Sequence, residues 1–391
     1  MHVTEVNVYL VDTGSFRPVV VELVTDENIV GIGEGAVGFG VGCHGAAHMA
    51  AELAERFVIG KDPSAIASIW NDFYYDTFWG KGAGAIFYAA VSAIEQALWD
   101  IKGKALGVPV YELLGGKQRD KIRVYANGWS EGKCVTAQDF ADRAVEVVEQ
   151  GYTAIKMYPL SQIDPIRGLN RHLKNREVSK ADFRRAVDAV RLVREAVGPD
   201  IDIMVDVTAE GTTDAMFQLA QAIEPYDIFW FEEAMDAFDV DAYMTVRQKT
   251  NLTLTTGERL YTRYGFRRLF ETRAVDIVQP DPGTCGGILE LFHIAATAET
   301  YNMRVAPHNC GGPVLCGAAL QLAACVSNLA IQEIFPFHGD MHYSIVEEAF
   351  EKKVNNGYVD VPTAPGLGIT LNHKVVDPFR IAHITLKNRG A

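Results

Sequence analysis

The 391-residue chain has no excess of basic residues: 36 Lys and Arg stand against 50 Asp and Glu, a formal net charge of −14. Nucleic acids and anionic membrane surfaces are gripped by clustered Lys and Arg, so neither is expected as a partner. The chain also lacks a paired-cysteine motif. Cys43, Cys134, Cys285, Cys310, Cys316 and Cys325 are scattered without CxxC spacing, some beside small apolar residues such as Gly317. That is the pattern of reduced core thiols rather than of disulfides or zinc ligands. No segment reaches the roughly 18 uninterrupted apolar residues of a membrane span. The start, Met1-His2-Val3-Thr4, lacks the basic-then-apolar pattern of a leader, so a cytoplasmic protein is expected.

What is present is the composition of an ordinary globular protein, 48% hydrophobic and 22% charged. The length suits two domains, one of which could be a barrel of about 250 residues. Residues 1–35 alternate in the strand manner, as in Val19-Val20-Val21-Glu22-Leu23-Val24, and break at Thr13-Gly14 and Asp26-Glu27-Asn28, which predicts an antiparallel meander. Helices are predicted over 44–57, 63–78 and 85–106, the last closing at Gly107-Val108-Pro109, so residues 1–120 form an α+β unit.

From Ile122 the texture changes to short apolar strands alternating with capped helices, such as the one between Ser179 and Gly198. Strands are predicted at 122–126, 154–156, 201–206, 228–232, 252–256, 275–278, 303–306 and 329–332. That count predicts an α/β fold with a (β/α)8-type barrel over 121–357 and chemistry at the carboxyl ends of its strands. The tail 358–391, with Pro365-Gly366-Leu367-Gly368, is expected to return to the first domain. One long connection, 159–178, carries Arg167, Arg171, His172, Lys174 and Arg176. It could be a lid toward an anionic substrate, a solvated surface or a subunit contact.

The strand ends supply the chemistry. Asp206, Glu232 and Glu258 recur every 26 residues, about one barrel unit, so three acids should emerge side by side. Three converging carboxylates repel one another unless a cation lies between them, and hard oxygen ligands suit Mg²⁺ or Mn²⁺. The next strand ends carry Asp281 and His308, close enough for the carboxylate to orient the imidazole as a proton carrier. Lys156 and Tyr158 end the second strand two residues apart and so face one side; beside a dication and Lys156 the phenol is expected to have a lowered pKa. Glu333, at the eighth strand's end, could hydrogen-bond a substrate carboxylate. Thr208, Asn309 and His338 complete the candidates as substrate contacts.

Together these parts suit removal of the weakly acidic proton beside a carboxylate, with the metal stabilising the enediolate. Return of a proton would then give racemisation, and loss of a β-hydroxyl would give dehydration. A barrel that binds a ligand without catalysis is also open. The segment Gly33-Glu34-Gly35-Ala36-Val37-Gly38 fits GxGxxG, but it follows a meander strand rather than opening a βαβ unit. A flexible specificity loop explains its glycines better than nucleotide binding.

These residues resemble the enolase superfamily in its mandelate racemase-like branch. The resemblance is carried by Ala97-Leu98-Trp99-Asp100-Ile101-Lys102-Gly103-Lys104, Leu113-Leu114-Gly115-Gly116, Asp206, Phe231-Glu232-Glu233, Gly257-Glu258, Gln279-Pro280-Asp281 and Ala306-Pro307-His308-Asn309. Within the branch, Gly257-Glu258-Arg259-Leu260 and the Pro-Gly-Leu-Gly ending look most like galactonate dehydratases and related sugar-acid dehydratases. The resemblance implies that the first domain caps the barrel mouth, with specificity loops near 12–17 and 35–44. It also implies a homo-oligomer and a small anionic sugar acid as substrate, an aldonate or aldarate converted to a 2-keto-3-deoxy acid. Racemases, epimerases and cycloisomerases share the branch. Two positions depart from its pattern: Tyr158 stands where the branch usually has a second lysine, and Thr208 where galactonate dehydratases carry a catalytic histidine.

Overall fold

The computed structural model describes residues 1–14, 16–163, 170–171 and 176–388. The meander forms as the alternation requires: β1 (Val3–Leu10), β2 (Val19–Thr25) and β3 (Val30–Gly35) pair antiparallel in that order. The tail adds Arg380–Thr385 to the free edge of β1, which completes the cap sheet.

Helix α1 (Cys43–Phe57) and the 22-residue α3 (Ala85–Leu106) form where predicted. The stretch between them does not run to residue 78 as one helix: α2 (Ile66–Asn71) passes into a π-helical turn, Asp72–Asp76, that sends Phe73 into the core and stacks Tyr74 on Trp70.

The glycines read as a flexible loop have another explanation. Gly31, Gly33 and Gly35 lie on β3 against the backbone of α3, where an added Cβ would meet the carbonyls of Ala97, Ala93 and Ala89 at 2.1, 2.1 and 2.7 Å. Two strand residues span ~6.7 Å and four helix residues ~6 Å, so the two repeats run in step. The GxGxxG match is therefore close packing, with only its later residues entering a loop.

Eight parallel strands follow among the described residues: β4 (Lys121–Ala126), β5 (Ala154–Met157), β6 (Asp202–Asp206), β7 (Ile228–Glu232), β8 (Leu254–Thr256), β9 (Ile277–Val278), β10 (Arg304–Val305) and β11 (Gln332–Ile334). Each pairs with the next, β11 pairs with β4, and a bridge between Val305 and Leu329 joins the β10 and β11 segments. The helices between include α4 (Ala137–Glu149), α5 (Lys180–Val197), α6 (Thr213–Ile223), α7 (Val240–Arg247), α8 (Thr262–Thr272), α9 (Ile288–Thr300) and α10 (Pro313–Cys325).

The barrel interior is closed by Tyr125, Ala154, Met204, Trp230, Ile277, Ala306 and Ile331, one from each of seven strand segments. Side chains two residues apart on a strand share a face. The residues two positions beyond six of these are Asn127, Lys156, Asp206, Glu232, His308 and Glu333, so the same inward face turns polar at the carboxyl ends.

Buried carboxylates join cap to barrel. Glu34 accepts the backbone N–H groups of Gly312 and Leu315 at the start of α10. Glu95 accepts those of Ile288 and Leu289 at the start of α9, at 2.6 and 2.9 Å. Each satisfies helix-terminal donors that have no intrahelical partner and meets the positive end of a helix dipole. No described helix is long and apolar enough to cross a membrane, and the six cysteines are free, five of them buried.

Candidate active site

Between cap and barrel lies a cavity of about 310 Å³. Phe16, Val37, Phe39 and Val41 from the cap form an apolar wall, and Tyr158, Asp206, Thr208, Glu258, Asp281 and His308 come from the barrel mouth. The first group falls on the loops expected near 12–17 and 35–44; Ser15 lies outside the described residues, as do Arg167, His172 and Lys174 of the basic connection.

Asp206 and Glu232 are the last residues of β6 and β7, and Glu258 follows β8 by two. Each offers one carboxylate oxygen, and the three lie within 4.8 Å of one another, a group that could hold a metal ion. The fit is chemical as well as geometric. Burial, with repulsion from its neighbours, raises Glu232 to about 8 and Asp206 to about 6, although Lys156 pulls both down. A dication would relieve that stress.

Surrounding groups fix the cage. Trp230 Nε1 donates to Glu232 at 2.8 Å. Arg259 stands 3.4 Å from Glu258 and 3.3 Å from Glu233, which also takes the Thr256 hydroxyl. Thr208 and Ala209 adopt left-handed φ angles of 45° and 57°, and the Thr208 N–H returns to Asp206 at 2.9 Å. Strain of this kind persists only where surrounding structure imposes it. The Thr208 hydroxyl donates to Glu210 at 2.7 Å, while the residue still borders the cavity.

His308 Nδ1 is 2.7 Å from Asp281, whose other oxygen accepts the Gly283 N–H at 2.6 Å. The far ring nitrogen lies 3.1 Å from Glu258 and 3.8 Å from Glu333. Burial opposes charging the ring, but Glu333, Glu258 and Asp281 outweigh it and raise His308 to about 10.

Lys156 is fully buried, its ammonium 2.7 Å from Glu232, 3.0 Å from Glu333 and 3.3 Å from Asp206. It also lies 5.7 Å from the centre of the Tyr158 ring, so the two do share a side. Lys156 alone does not lower the Tyr158 phenol: burial pushes it well above its ordinary value, and Asp206, Glu131 and Glu333 add to burial against the pull of Lys156. Glu333 is turned inward rather than toward a ligand. It accepts from Lys156, from the Asn309 backbone and from the Asn127 amide, and Lys156, His308 and that backbone donor overcome burial to hold it down at about 2.

Two expected substrate contacts stand back from the cavity. Asn309 is buried, with its backbone N–H on Glu333 at 2.7 Å and its amide on the Glu333 carbonyl. His338 lies in a ring cluster, 5.0 Å from Phe16, 5.5 Å from Phe335 and 4.2 Å from His342, because an imidazole that burial holds down to about 4 packs as a neutral ring. Asn127 was missed. It is fully buried and bridges Tyr158 and Glu333, and the signal for it was its place two residues beyond inward-facing Tyr125.

Family models match most of the chain: residues 6–115 fit the mandelate racemase/muconate lactonizing enzyme N-terminal domain, and residues 139–375 fit an enolase C-terminal domain-like model. The chain belongs to this family and is an enzyme of the enolase superfamily. D-gluconate dehydratase of Thermoproteus tenax is 33% identical over 83% of the chain, although the match spans only 63% of that protein. D-xylonate dehydratase of Haloferax volcanii is 32% identical over 98% of the chain and 90% of its own length. D-galactonate dehydratase of Verminephrobacter eiseniae is 33% identical over 96% and 94%. The crystal structure of a candidate dehydratase from Mesorhizobium loti superposes with a TM-score of 0.95, at 45% identity over 98% of this chain and all of that one.

Proposed function

We propose that the protein is a Mg²⁺-dependent dehydratase of a sugar acid, an aldonate or aldarate, that forms a 2-keto-3-deoxy acid. The observation that carries this reading is one cavity bordered by Asp206 and Glu258 of the acid cage, the His308–Asp281 pair and Tyr158. The names of relatives at about one-third identity supply the substrate class.

Asp206, Glu232 and Glu258 would hold Mg²⁺, or Mn²⁺ in its place. Bound there, the ion would supply a Lewis acid for the substrate carboxylate and offset the charge that develops when C2 loses its proton. Tyr158, as the phenolate that Lys156 and a cation in the cage would favour, takes the C2 proton and becomes the phenol. His308, charged and oriented by Asp281, gives its proton to the departing C3 hydroxyl, which leaves as water. The enol left behind tautomerises to the 2-keto acid. If the C2 configuration presents the proton to the other wall, Tyr158 and His308 exchange roles. Glu333 accepts from Lys156 at 3.0 Å and lies 3.8 Å from the far ring nitrogen of His308, a buried negative charge between the lysine and the imidazole. Thr208, bordering the cavity beside Asp206, is the substrate contact this reading retains among the three proposed.

Homo-oligomer formation belongs to the same reading; Tyr75, Phe78 and Trp79 are exposed at 53, 79 and 75% on the cap, an apolar group that subunit contact would cover. A library of aldonic and aldaric acids, incubated with Mg²⁺ and followed as 2-keto acid formation, tests the function. At least one member should turn over, and His308→Asn should abolish that turnover. A variant as active as the wild type would remove His308 from the mechanism.

A further inference from the structure

Asn127 has no task in the reaction above, yet hydrogen bonds define its side chain completely. The residue ends the inward-facing row of β4, and its backbone N–H is held by the Ile334 carbonyl at 3.0 Å. The amide orientation is set independently of Tyr158: the Gly128 N–H donates to Oδ1 at 2.7 Å, so Nδ2 must face the other way. Gly128 itself sits at φ +77°, with the Phe335 ring where a Cβ would go, which keeps this turn in place.

A primary amide nitrogen carries two hydrogens. One goes to Glu333 Oε1 at 2.7 Å, on a carboxylate that can only accept and that also receives Lys156 and the Asn309 N–H. The other goes to Tyr158 Oη at 2.8 Å. The phenol oxygen is therefore an acceptor toward Asn127, and its own hydrogen is left for the cavity that Tyr158 borders.

We propose that Asn127 is a positioning residue for Tyr158: its amide hydrogen bond holds the phenolate that takes the substrate's proton and keeps the O–H of the phenol so formed turned toward the cavity. The proposal rests on reading Tyr158 as a proton carrier of the dehydratase. A donor bonds an anionic oxygen more strongly than a neutral one, so losing it harms the phenolate more than the phenol. The other charged groups facing the phenol are the Lys156 ammonium, which favours the phenolate, and the Asp206, Glu131 and Glu333 carboxylates, which oppose it. Replacing Asn127 removes none of them.

The test places 3,5-difluorotyrosine at position 158 by amber suppression in the full-length protein. Its more acidic phenol makes both protonation states accessible, and ¹⁹F NMR follows the titration with no substrate present. N127L removes the donor at similar volume and should raise the midpoint by about one pH unit, the worth of one hydrogen bond. On an accepted sugar acid, N127L in the otherwise natural chain should lower kcat about tenfold and leave KM within about twofold, the pattern of an interaction made in the transition state. N127D keeps the shape and the Gly128 contact but offers an acceptor, so it raises the midpoint too and serves if the leucine variant does not fold. An unmoved midpoint in a folded variant overturns the proposal, even when the wild type dehydrates sugar acids. A shifted midpoint in a protein that dehydrates none supports the Asn127–Tyr158 coupling and counts against the dehydratase.

Discussion

Replacing Lys156 with methionine should leave the metal-free protein much less stable and make it depend on Mg²⁺ for its fold. The ammonium is fully buried and touches three carboxylates at 2.7, 3.0 and 3.3 Å, so its loss strands negative charge in the barrel mouth. Breaking a buried ion pair from one side costs roughly 3–5 kcal/mol. Glu232, already raised to about 8 by burial and Asp206, carries its proton most of the time at neutral pH, which softens the loss. The lower end, about 3 kcal/mol, is therefore expected near pH 7. The sign with pH follows from the same group. A carboxyl whose folded pKa lies above its unfolded value contributes stability at low pH that is lost as pH rises through the folded value. Without Lys156 that folded value is higher still, so the deficit should grow between pH 7 and pH 9. At about 2–4 °C per kcal/mol for a domain of this size, K156M in EDTA should melt some 6–12 °C below the wild type at pH 7. Saturating Mg²⁺ should raise the variant's midpoint by more than the wild type's, because a cation among the carboxylates restores the missing charge. Differential scanning fluorimetry with EDTA or Mg²⁺ at both pH values reads all of this. A variant as stable as the wild type in EDTA would refute the view that Lys156 is the counter-charge of the cage.

Asp281→Asn should cut kcat about 10²–10³-fold while KM changes little, since it removes the carboxylate that orients His308; steady-state kinetics and an unchanged circular dichroism spectrum check it. Glu34→Gln should destabilise the protein by about 1–3 kcal/mol near pH 6, because one amide oxygen cannot satisfy both the Gly312 and Leu315 N–H groups. Burial raises Glu34 to about 8, so the wild type loses this group's contribution as pH climbs through that value, and the gap to E34Q in urea titrations should narrow by pH 9. Gly33→Ala should cost roughly 3 kcal/mol or more and yield mostly insoluble protein, because the Ala93 carbonyl that the new Cβ meets is backbone and cannot swing away.

The cage and the His308–Asp281 pair were legible because one barrel unit has a nearly constant length, so strand-end acids recur at a fixed interval and neighbouring strand ends become neighbours in space. The strand pattern marked the eight segments for the same reason, while the helix predicted to residue 78 failed where the Asp72–Asp76 turn changed register. Other features depend on partners far along the chain. Asn127 becomes informative only once Glu333, 206 residues away, closes the ring beside it. Glu34 reads as one more acid on an alternating strand until the start of α10, 278 residues on, arrives to use it. The direction of the Tyr158 shift depended on weighing burial and three carboxylates against one lysine, and local sequence shows the lysine alone. His338 belongs to the same class, since Phe16, the ring it packs against, comes from the far end of the chain.

The most direct measurement is the proton NMR spectrum of an accepted sugar acid incubated with the protein in H₂O and in D₂O, with Mg²⁺ and with EDTA. A metal-dependent dehydratase gives the C3 methylene signals of a 2-keto-3-deoxy acid in H₂O with Mg²⁺, partial deuteration of that carbon in D₂O, and no change with EDTA. Deuterium appearing at C2 of the intact acid with no C3 methylene would make the protein a racemase or epimerase, and equal turnover in EDTA would remove the metal from its chemistry.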